Sequence, residues 1–347
     1  MKLSDLCSKG SSSLRQKDLG NDGPYPVYGA SGVVGTMAEY QNEKGYVGIV
    51  KDGAGIGRAF ECSPKSSVLG TIQALLPKGD TNRDYLLHLV RSLDLAKSYS
   101  GSTIPHIYFK DYGKTLVKKT AIEEQEAIGG RFNKIDQLIQ LQQNQLAKLD
   151  DFVKSRFNEM FENMKCNGTV AGVAETFNGD RGKNYPSAND KVSDGLPFVN
   201  AGNLKNGSVL FDDMDYITRE KYETLSGGKI CKGDILYCLR GSLGKSALVD
   251  FDEGTVASSL MIIRPNLEVI TSRYLYEALN SPLVIRQMHA ADNGSSQPNL
   301  SAKSVKAYHI PIPPLALQQE FAEFVAQVDK LRFGSVCPKR RIMFESR

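Results

Sequence analysis

Ile128-Gly-Gly-Arg-Phe132-Asn-Lys-Ile135-Asp-Gln-Leu-Ile139-Gln-Leu-Gln142-Gln-Asn-Gln-Leu146-Ala-Lys-Leu149-Asp-Asp-Phe-Val153-Lys-Ser-Arg156-Phe-Asn-Glu-Met160 sits near the middle of the chain, within a proline-free stretch from Ala121 to Met164. Its apolar residues recur at steps of four and three: Ile128, Phe132, Ile135 and Ile139, then Leu146, Leu149, Val153 and Met160. Gln142 and Arg156 fill the remaining positions of that stripe. This is the a/d spacing of a coiled coil, which turns one narrow face toward a partner helix. Gln140, Gln143, Gln145, Lys148, Asp151 and Lys154 occupy the other faces, so the stretch is not a helix buried all round. Gly129 and Gly130 weaken its first turns by roughly 1 kcal/mol each relative to alanine. At ~1.5 Å per residue such a helix spans on the order of 60 Å. A helix with a single apolar seam requires a second helix.

Composition frames the search for it. A chain of 347 residues has room for about two domains, and 41% hydrophobic with 24% charged residues is the balance of an ordinary globular protein. No apolar run approaches the ~20 residues of a membrane span, and Met1-Lys-Leu-Ser-Asp-Leu-Cys lacks a signal-peptide core. Cys7, Cys62, Cys166, Cys231, Cys238 and Cys337 are scattered, which predicts reduced thiols in a cytoplasmic protein and neither a zinc site nor a disulfide frame. A net charge of +4 permits nucleic-acid binding through local patches without demanding it.

The second helix is found by looking for an internal repeat. Gly45-Tyr-Val-Gly-Ile-Val aligns with Gly233-Asp-Ile-Leu-Tyr-Cys, and the same offset carries Pro77 onto Pro265. Ile56-Gly57-Arg58 aligns with Leu243-Gly244-Lys245, and Tyr85-Leu86 with Tyr274-Leu275. Gly101-Ser-Thr-Ile-Pro-His-Ile-Tyr-Phe-Lys aligns without a gap with Gly294-Ser-Ser-Gln-Pro-Asn-Leu-Ser-Ala-Lys. Glu124-Gln-Glu-Ala-Ile aligns with Gln318-Gln-Glu-Phe-Ala, which opens a second helix with a seam of Leu317, Phe321, Phe324, Val328 and Leu331. Within the globular parts, Tyr46–Lys51, Val68–Leu76, Thr115–Val117, Ile235–Leu239 and Val256–Ile263 read as strands, and Tyr85–Lys97 and Ser272–Met288 as helices. The fold expected is α+β and duplicated: two tandem α/β domains separated and joined by long antiparallel coiled-coil helices, with pseudo-two-fold symmetry. Its parts are a first domain (1–120), a central helix (121–165), a second domain (166–313), a shorter second helix (314–331) and an irregular basic tail (332–347). Antiparallel pairing would place the two domains at opposite ends of a ruler.

Ile310-Pro-Ile-Pro-Pro-Leu-Ala-Leu-Gln-Gln-Glu-Phe-Ala, preceded by Gly294-Ser-Ser-Gln-Pro-Asn-Leu, resembles the specificity subunit of type I restriction–modification enzymes. The resemblance extends to the order and spacing of all parts up to about Leu331. It implies a non-catalytic reader of double-stranded DNA, each globular domain recognising one half of a bipartite target. The helices would set the unread spacer and dock two modification subunits, which would carry the S-adenosylmethionine chemistry; restriction subunits using ATP and Mg would complete the complex. The second seam departs from the family pattern. After Leu331 the heptad is lost in Arg332-Phe-Gly-Ser-Val-Cys-Pro-Lys-Arg-Arg, which predicts a shortened or rearranged C-terminal helix, a first-helix seam with part of its length unpartnered, and self-association as one way to cover it.

Phosphates favour Lys, Arg and small hydroxyls, whereas base edges favour forked side chains such as Arg, Asn and Gln. The glycine-rich loops Lys51-Asp-Gly-Ala-Gly-Ile-Gly-Arg58 and Arg240-Gly-Ser242-Leu-Gly-Lys245 supply such groups where a phosphate can approach, although their glycines would also serve a tight hairpin. Arg181, Lys183 and Tyr185 lie in the polar loop Asn178–Asp190, and Ser295, Ser296, Gln297 and Asn299 in the second glycine–serine–proline motif. The four histidines, His88, His106, His289 and His309, have no metal-ligand spacing. Enzymatic readings fare poorly. Leu239 stands where a P-loop ending in Gly244-Lys245-Ser246 needs glycine, and Gly53-Ala-Gly-Ile-Gly has the wrong spacing for a dinucleotide fingerprint. No amino-methyltransferase tetrapeptide or metal-binding nuclease cluster stands out. The remaining rivals are a helical scaffold that binds proteins and not DNA, and a non-productive specificity subunit that only recruits partners. A steep loss of affinity with salt would separate DNA binding from protein binding.

Overall fold

The computed structural model describes residues 1–335 apart from 21, 54, 102–104 and 292–298, and of residues 98, 183 and 333–335 the backbone alone. It divides into two units, Met1–Gln143 and Asn144–Arg347.

The first unit contains α1 (Leu3–Leu6), β1 (Cys7–Lys9), β2 (Tyr25–Gly29), β3 (Gly32–Met37), β4 (Tyr46–Val50), β5 (Ala59–Cys62), β6 (Ser67–Val68), β7 (Ile72–Pro77), α2 (Arg83–Ser92), α3 (Phe109–Tyr112) and the first part of α4 (Ile122–Phe161). One sheet has the order β1-β7-β4-β5 and a second the order β3-β2-β6. Every residue of β4 is buried, because the strand alternates between two cores. Val47 and Ile49 pack with Leu86 and Val90 of α2, and Tyr46 and Val50 with Val68 and Ile72. Gly48 keeps this strand narrow: a Cβ there would come within 2.8 Å of the Phe60 ring.

The second unit continues α4 and adds β8 (Gly168–Thr169), α5 (Val170–Val173), β9 (Ala174–Asn178), β10 (Lys191–Val192), β11 (Leu196–Val199), β12 (Leu204–Lys205), β13 (Gly207–Val209), β14 (Asp215–Ile217) and α6 (Arg219–Thr224). It closes with β15 (Ile235–Cys238), β16 (Ser246–Leu248), β17 (Thr255–Val256), β18 (Leu260–Pro265), α7 (Ser272–Leu279), α8 (Pro282–Ala291), α9 (Ala302–Lys306), β19 (His309–Ile310) and α10 (Leu315–Ser335). The order β9-β18-β15-β16 repeats β1-β7-β4-β5, and β14-β11-β17 repeats β3-β2-β6. In both copies the last pair of the smaller sheet is parallel. The α+β duplication is therefore present in strand pairing as well as in sequence. The hairpin β12–β13 is an addition on the edge of the larger second sheet.

Several expected elements are divided. Val68–Leu76 and Val256–Ile263 each break at the same turn, where the Ile72 amide donates to the Leu69 carbonyl and the Leu260 amide to the Ala257 carbonyl, both at 2.9 Å. The break lets one apolar run contribute a strand to each of two sheets. Ser272–Met288 forms two helices, because Pro282 cannot donate the amide hydrogen bond that would continue α7. Thr115–Val117 makes only an isolated bridge, Leu116 with Lys2.

The two long helices start alike. The Gln125 carboxamide accepts from the Asn82 amide (3.1 Å) and donates to the Thr120 carbonyl (2.9 Å). Gln318 accepts from the Thr271 amide (2.8 Å) and donates to the carbonyls of Pro313 (2.8 Å) and Val269 (3.1 Å). Asn82 and Thr271 in turn cap α2 and α7, accepting from the amides of Tyr85 and Tyr274. The equivalence Gln125 to Gln318 is one residue out of step with the sequence alignment of the two helix starts, which sets Gln318 against Glu124.

In the first unit α2 lies against α4 through Gly129. A Cβ at Gly129 would stand 2.9 Å from the Tyr85 nitrogen, whereas nothing approaches the corresponding point at Gly130. Polar pairs extend this contact: His88 with Asn133 (2.9 Å), Asn133 with Asp84 (2.7 Å), and Arg91 with Asp136 (2.7 Å). Ile128 packs on the core and Phe132 stacks on His88 at 5.0 Å. Beyond them Ile135 and Ile139 are about half exposed.

In the second unit α10 runs antiparallel to the end of α4: Glu320 meets Arg156, Phe324 meets Phe152, and Arg332 meets Asp150. Val153, Phe157 and Phe161 are the buried residues of α4 here, with Leu146, Leu149 and Met160 half-buried. Phe157 and Phe161 lie outside the a/d reading, which placed Arg156 on the seam. This end of the helix sits on a domain core, so it buries a wider 3.6-periodic face, packed against Tyr274 of α7 and Phe321 of α10. On α10 the buried line is Phe321, Val325 and Val328, while Phe324 is half-buried and Leu331 is 61% exposed. Arg332 takes the facing position instead, bonded to Asp150 at 2.6 Å. The expected break at residue 332 is thus not observed: α10 continues to Ser335. Residues 336–347 of the expected tail lie outside the described residues. Nearby, Arg273 pairs with Glu277 (3.0 Å) and Asp329 (3.8 Å), and burial raises the Glu277 carboxyl against the pull of Arg273 and Arg332. No helix among the described residues is long and apolar enough to cross a membrane.

Two outcomes follow from this packing. In chemical denaturation, Gly130→Ala raises stability by about 1 kcal/mol, whereas Gly129→Ala lowers it by about 1–3 kcal/mol through overpacking on α2. Arg273→Met costs roughly 2 kcal/mol near neutral pH, less than a fully buried pair because Arg273 keeps 25% exposure. Because the folded pKa of Glu277 is raised, that cost is small below the unfolded carboxylate pKa of about 4.3 and grows as pH rises through the folded value. Adding Glu277→Gln removes the part of the pH dependence that comes from this pair.

Candidate nucleic-acid interface

The two glycine-rich loops are equivalent hairpins, β4–β5 and β15–β16. In the first, the Val50 amide donates to the Arg58 carbonyl and the Gly57 amide to the Val50 carbonyl. In the second, the Cys238 amide donates to the Lys245 carbonyl and the Gly244 amide to the Cys238 carbonyl. Gly53, Gly55 and Gly57, and likewise Gly241 and Gly244, have φ between +73° and +84°, which suits glycine and excludes most other residues. The glycines thus make the turns.

Each hairpin is met by the segment that follows a glycine–serine–proline motif. The Ile107 amide donates to the Lys51 carbonyl (3.0 Å), and the Leu300 amide to the Leu239 carbonyl (2.8 Å). Ile107 and Leu300 are both buried. Beside these bonds stand two bridges in the same place, Asp52 with His106 and Arg240 with Asn299. Neither Asp52 nor His106 is among the residues that the sequence offers as DNA contacts; the repeat alignment is the signal that sets them opposite Arg240 and Asn299.

In the second unit the bridge opens onto a cleft of about 540 Å³ lined by Asn178, Arg181, Arg240, Asn299 and Ser301 among others. Three of the sequence candidates, Arg181, Arg240 and Asn299, are thereby brought together; Asn178 and Ser301 join them. All five are exposed. Among the described residues Arg181 and Arg240 form no ion pair, unlike Arg219, Arg264 and Arg273. The cleft wall is fixed from behind. Asp180 accepts from the amide (2.7 Å) and hydroxyl (2.6 Å) of Ser226, and Gly179 lies so close to β17 that a Cβ would meet the Val256 carbonyl at 2.4 Å. Arg181 and Arg240 present donors, Asn178 and Asn299 both donors and acceptors, a set matched to anionic oxygens and base edges.

The other candidates separate by environment. Lys245 donates its ammonium to the Ala201 carbonyl at 2.7 Å, which makes it a tie to the neighbouring loop. Tyr185 rests edge-on against Phe198 at 5.5 Å. Ser242 and Arg58 are exposed at their hairpins. Lys51 is half-buried, and burial together with the charge of Lys9 lowers its pKa. His106 contacts Asp52 through Nδ1 and lies 4.0 Å from the Tyr108 ring; burial and then the Lys51 charge hold its pKa below the usual histidine value. The Lys183 side chain and Ser295, Ser296 and Gln297 lie outside the described residues. Among the described residues no cluster of His, Cys, Asp and Glu could hold a metal ion.

Comparison with known proteins places this architecture. The pattern of the type I restriction modification DNA specificity domain matches residues 1–151 and 163–334. The chain is 29% identical over 178 residues to the EcoKI specificity subunit of Escherichia coli K12, covering 48% of this chain and 38% of that one. It is 24% identical over 140 residues to the E. coli EcoBI specificity subunit, covering 40% and 30%. The matched segments thus span only 30–38% of these two relatives. The MjaVIII specificity subunit of Methanocaldococcus jannaschii is 22% identical over 312 residues, covering 81% and 71%. In fold, the chain is similar to the type I restriction–modification S subunit from M. genitalium, with a TM-score of 0.60 over 96% of this chain and 90% of that one at 14% identity. With the family pattern matched in both units, the chain belongs to the type I restriction modification DNA specificity domain family.

Proposed function

We propose that this chain is the DNA sequence-recognition subunit of a cytoplasmic type I restriction–modification complex, each unit reading one half of a bipartite target. The observation that carries the reading is the repeated platform, a glycine hairpin crossed by a buried main-chain bond. In the second unit it opens onto a cleft exposing Arg181, Arg240 and Asn299. Recognition by these groups needs no reaction at the site, so the chain serves as a non-catalytic subunit. S-adenosylmethionine would act on the modification subunits and ATP with Mg on the restriction subunits.

The helices supply the second part of the proposal. Phe132, Ile135, Leu138, Ile139 and Leu141 are 48–63% exposed on α4, a patch suited to helices of two modification subunits or of another copy of this chain. α4 then acts as both spacer and docking site.

Adenine-methylation mapping in cells carrying this chain with its candidate modification subunit tests the reading: a bipartite, asymmetric motif is the expected result. Exchanging residues 1–120 for those of a relative changes one half of that motif only; a change in both halves refutes the assignment of one half-site per unit. A palindromic motif would instead point to one unit used twice in a dimer. In direct binding, Arg58→Ala weakens affinity evenly across sequences and makes the slope of log K against log salt shallower by about 0.9. A salt-independent interaction would favour a protein-binding scaffold. Lys245→Met behaves differently, lowering the melting temperature through loss of the bond to Ala201, worth about 1–2 kcal/mol.

A further inference from the structure

We propose that the two bridge pairs, Asp52–His106 and Arg240–Asn299, are equivalent base-reading positions whose opposite hydrogen-bonding chemistry makes the two units prefer different bases. This rests on the DNA-reading role proposed above and assigns the discrimination to four side chains, two of them not previously candidates.

The argument begins with position. Asp52 follows Lys51, whose carbonyl accepts from Ile107, and Arg240 follows Leu239, whose carbonyl accepts from Leu300. The residue before buried Ile107 is His106, and the one before buried Leu300 is Asn299. Directly opposed residues of an antiparallel bridge project to one side of the backbone. Each unit therefore presents a pair of side chains from the same site on a shared frame.

Chemistry then separates the pairs. Arg240 carries five N–H donors and no acceptor, and Asn299 carries two donors and an acceptor. Arginine is the side chain that reads the O6 and N7 acceptors of guanine, and asparagine the N6 and N7 of adenine. The second pair thus suits a purine, and Arg240 favours guanine over a base offering an amino group in that place. At the first pair Asp52 is an acceptor. In its neutral form, with Nδ1 donating to the Asp52 carboxylate, His106 keeps an acceptor at Nε2. That pair suits an exposed amino group, cytosine N4 or adenine N6, and is unfavourable toward guanine O6. The environments agree with a difference in reach: Arg240 and Asn299 are exposed on a cleft, whereas Asp52 and His106 each keep 26% side-chain exposure.

The test uses the full chain assembled with its candidate modification subunit, and duplexes carrying the mapped wild-type motif with every single-base replacement. Affinities for all duplexes are measured on one preparation, so a partly unfolded variant alters every value alike and leaves their ratios intact. Arg240→Ala is expected to reduce discrimination at one position of one half-site by about 10- to 100-fold, and Asn299→Ala to act in that same half-site. Asp52→Asn and His106→Gln, which preserve shape, are expected to relax one position of the other half-site. Carrying the second unit's pair into the first, as Asp52→Arg with His106→Asn, is expected to shift the preference there toward guanine and leave the second half-site unchanged. An even loss across all duplexes would show phosphate contacts and overturn the proposal, as would unchanged ratios or effects of both pairs in one half-site. A wild-type assembly that methylates no bipartite motif overturns the underlying reading instead, and this inference with it.

Discussion

A buried carboxamide at the first turn of each long helix holds the architecture together. Gln125 and Gln318 are 6% and 0% exposed, and each joins the backbone just before its own helix to the capping residue of another. A buried amide is costly unless its hydrogen bonds are made, so these contacts tolerate little change in the angle between the helices. The capping residues Asn82 and Thr271 then start α2 and α7, whose Leu86 and Leu275 reach the main cores. A register defined at one glutamine is thereby passed to the helix, to the core and to the sheet that carries the glycine hairpin.

That constraint explains why α4 has two characters along one length. Near Gln125 it is held to α2 by close approach at Gly129 and by polar pairs, which leaves its apolar seam beyond Phe132 open. Near its other end it is held by aromatic packing, with Phe157 and Phe161 against Tyr274 and Phe321. Polar pairs fix direction while adding little net stability when exposed; aromatic burial contributes the larger share. The helix is thus anchored at both ends of the described contacts, while its exposed middle keeps the residues suited to association.

The duplication and the long helix were legible in the sequence because both are written in spacing. Collinear matches such as Gly45 with Gly233 reflect strands that do pair alike. The seam was only partly legible. Phe324 and Val325 are neighbours, so two heptad registers fit almost equally, and a charged Arg332 concealed that the helix continues. Phe157 was missed because a coiled-coil template assumes a narrow face, whereas a helix seated on a domain buries a broader one. The candidate site was legible in residue type but not in grouping. Arg181, Arg240 and Asn299 come from three separated segments, and only the fold brings them to one cleft. Lys245 adds a contact that residue type does not announce: a lysine in a glycine loop reads as a phosphate ligand, and the fold also ties its ammonium to the Ala201 carbonyl.

The frame beneath the two bridges is made of main-chain bonds and buried aliphatic residues, and this has a consequence for how specificity can vary. The bonds from Ile107 to Lys51 and from Leu300 to Leu239 involve only backbone atoms, so they place no demand on the side chains beside them. Asp, His, Arg and Asn can occupy the adjoining positions without altering the turn glycines, the buried Ile107 and Leu300, or the strand register. Substitution there costs little folding free energy because the stabilising groups lie elsewhere. A scaffold of this kind separates what must stay fixed, the distance and orientation of the platform, from what must differ, the donors and acceptors it displays. Two copies of one fold can then display unlike donors and acceptors on the same pair of hairpin bonds, Ile107 to Lys51 in one and Leu300 to Leu239 in the other.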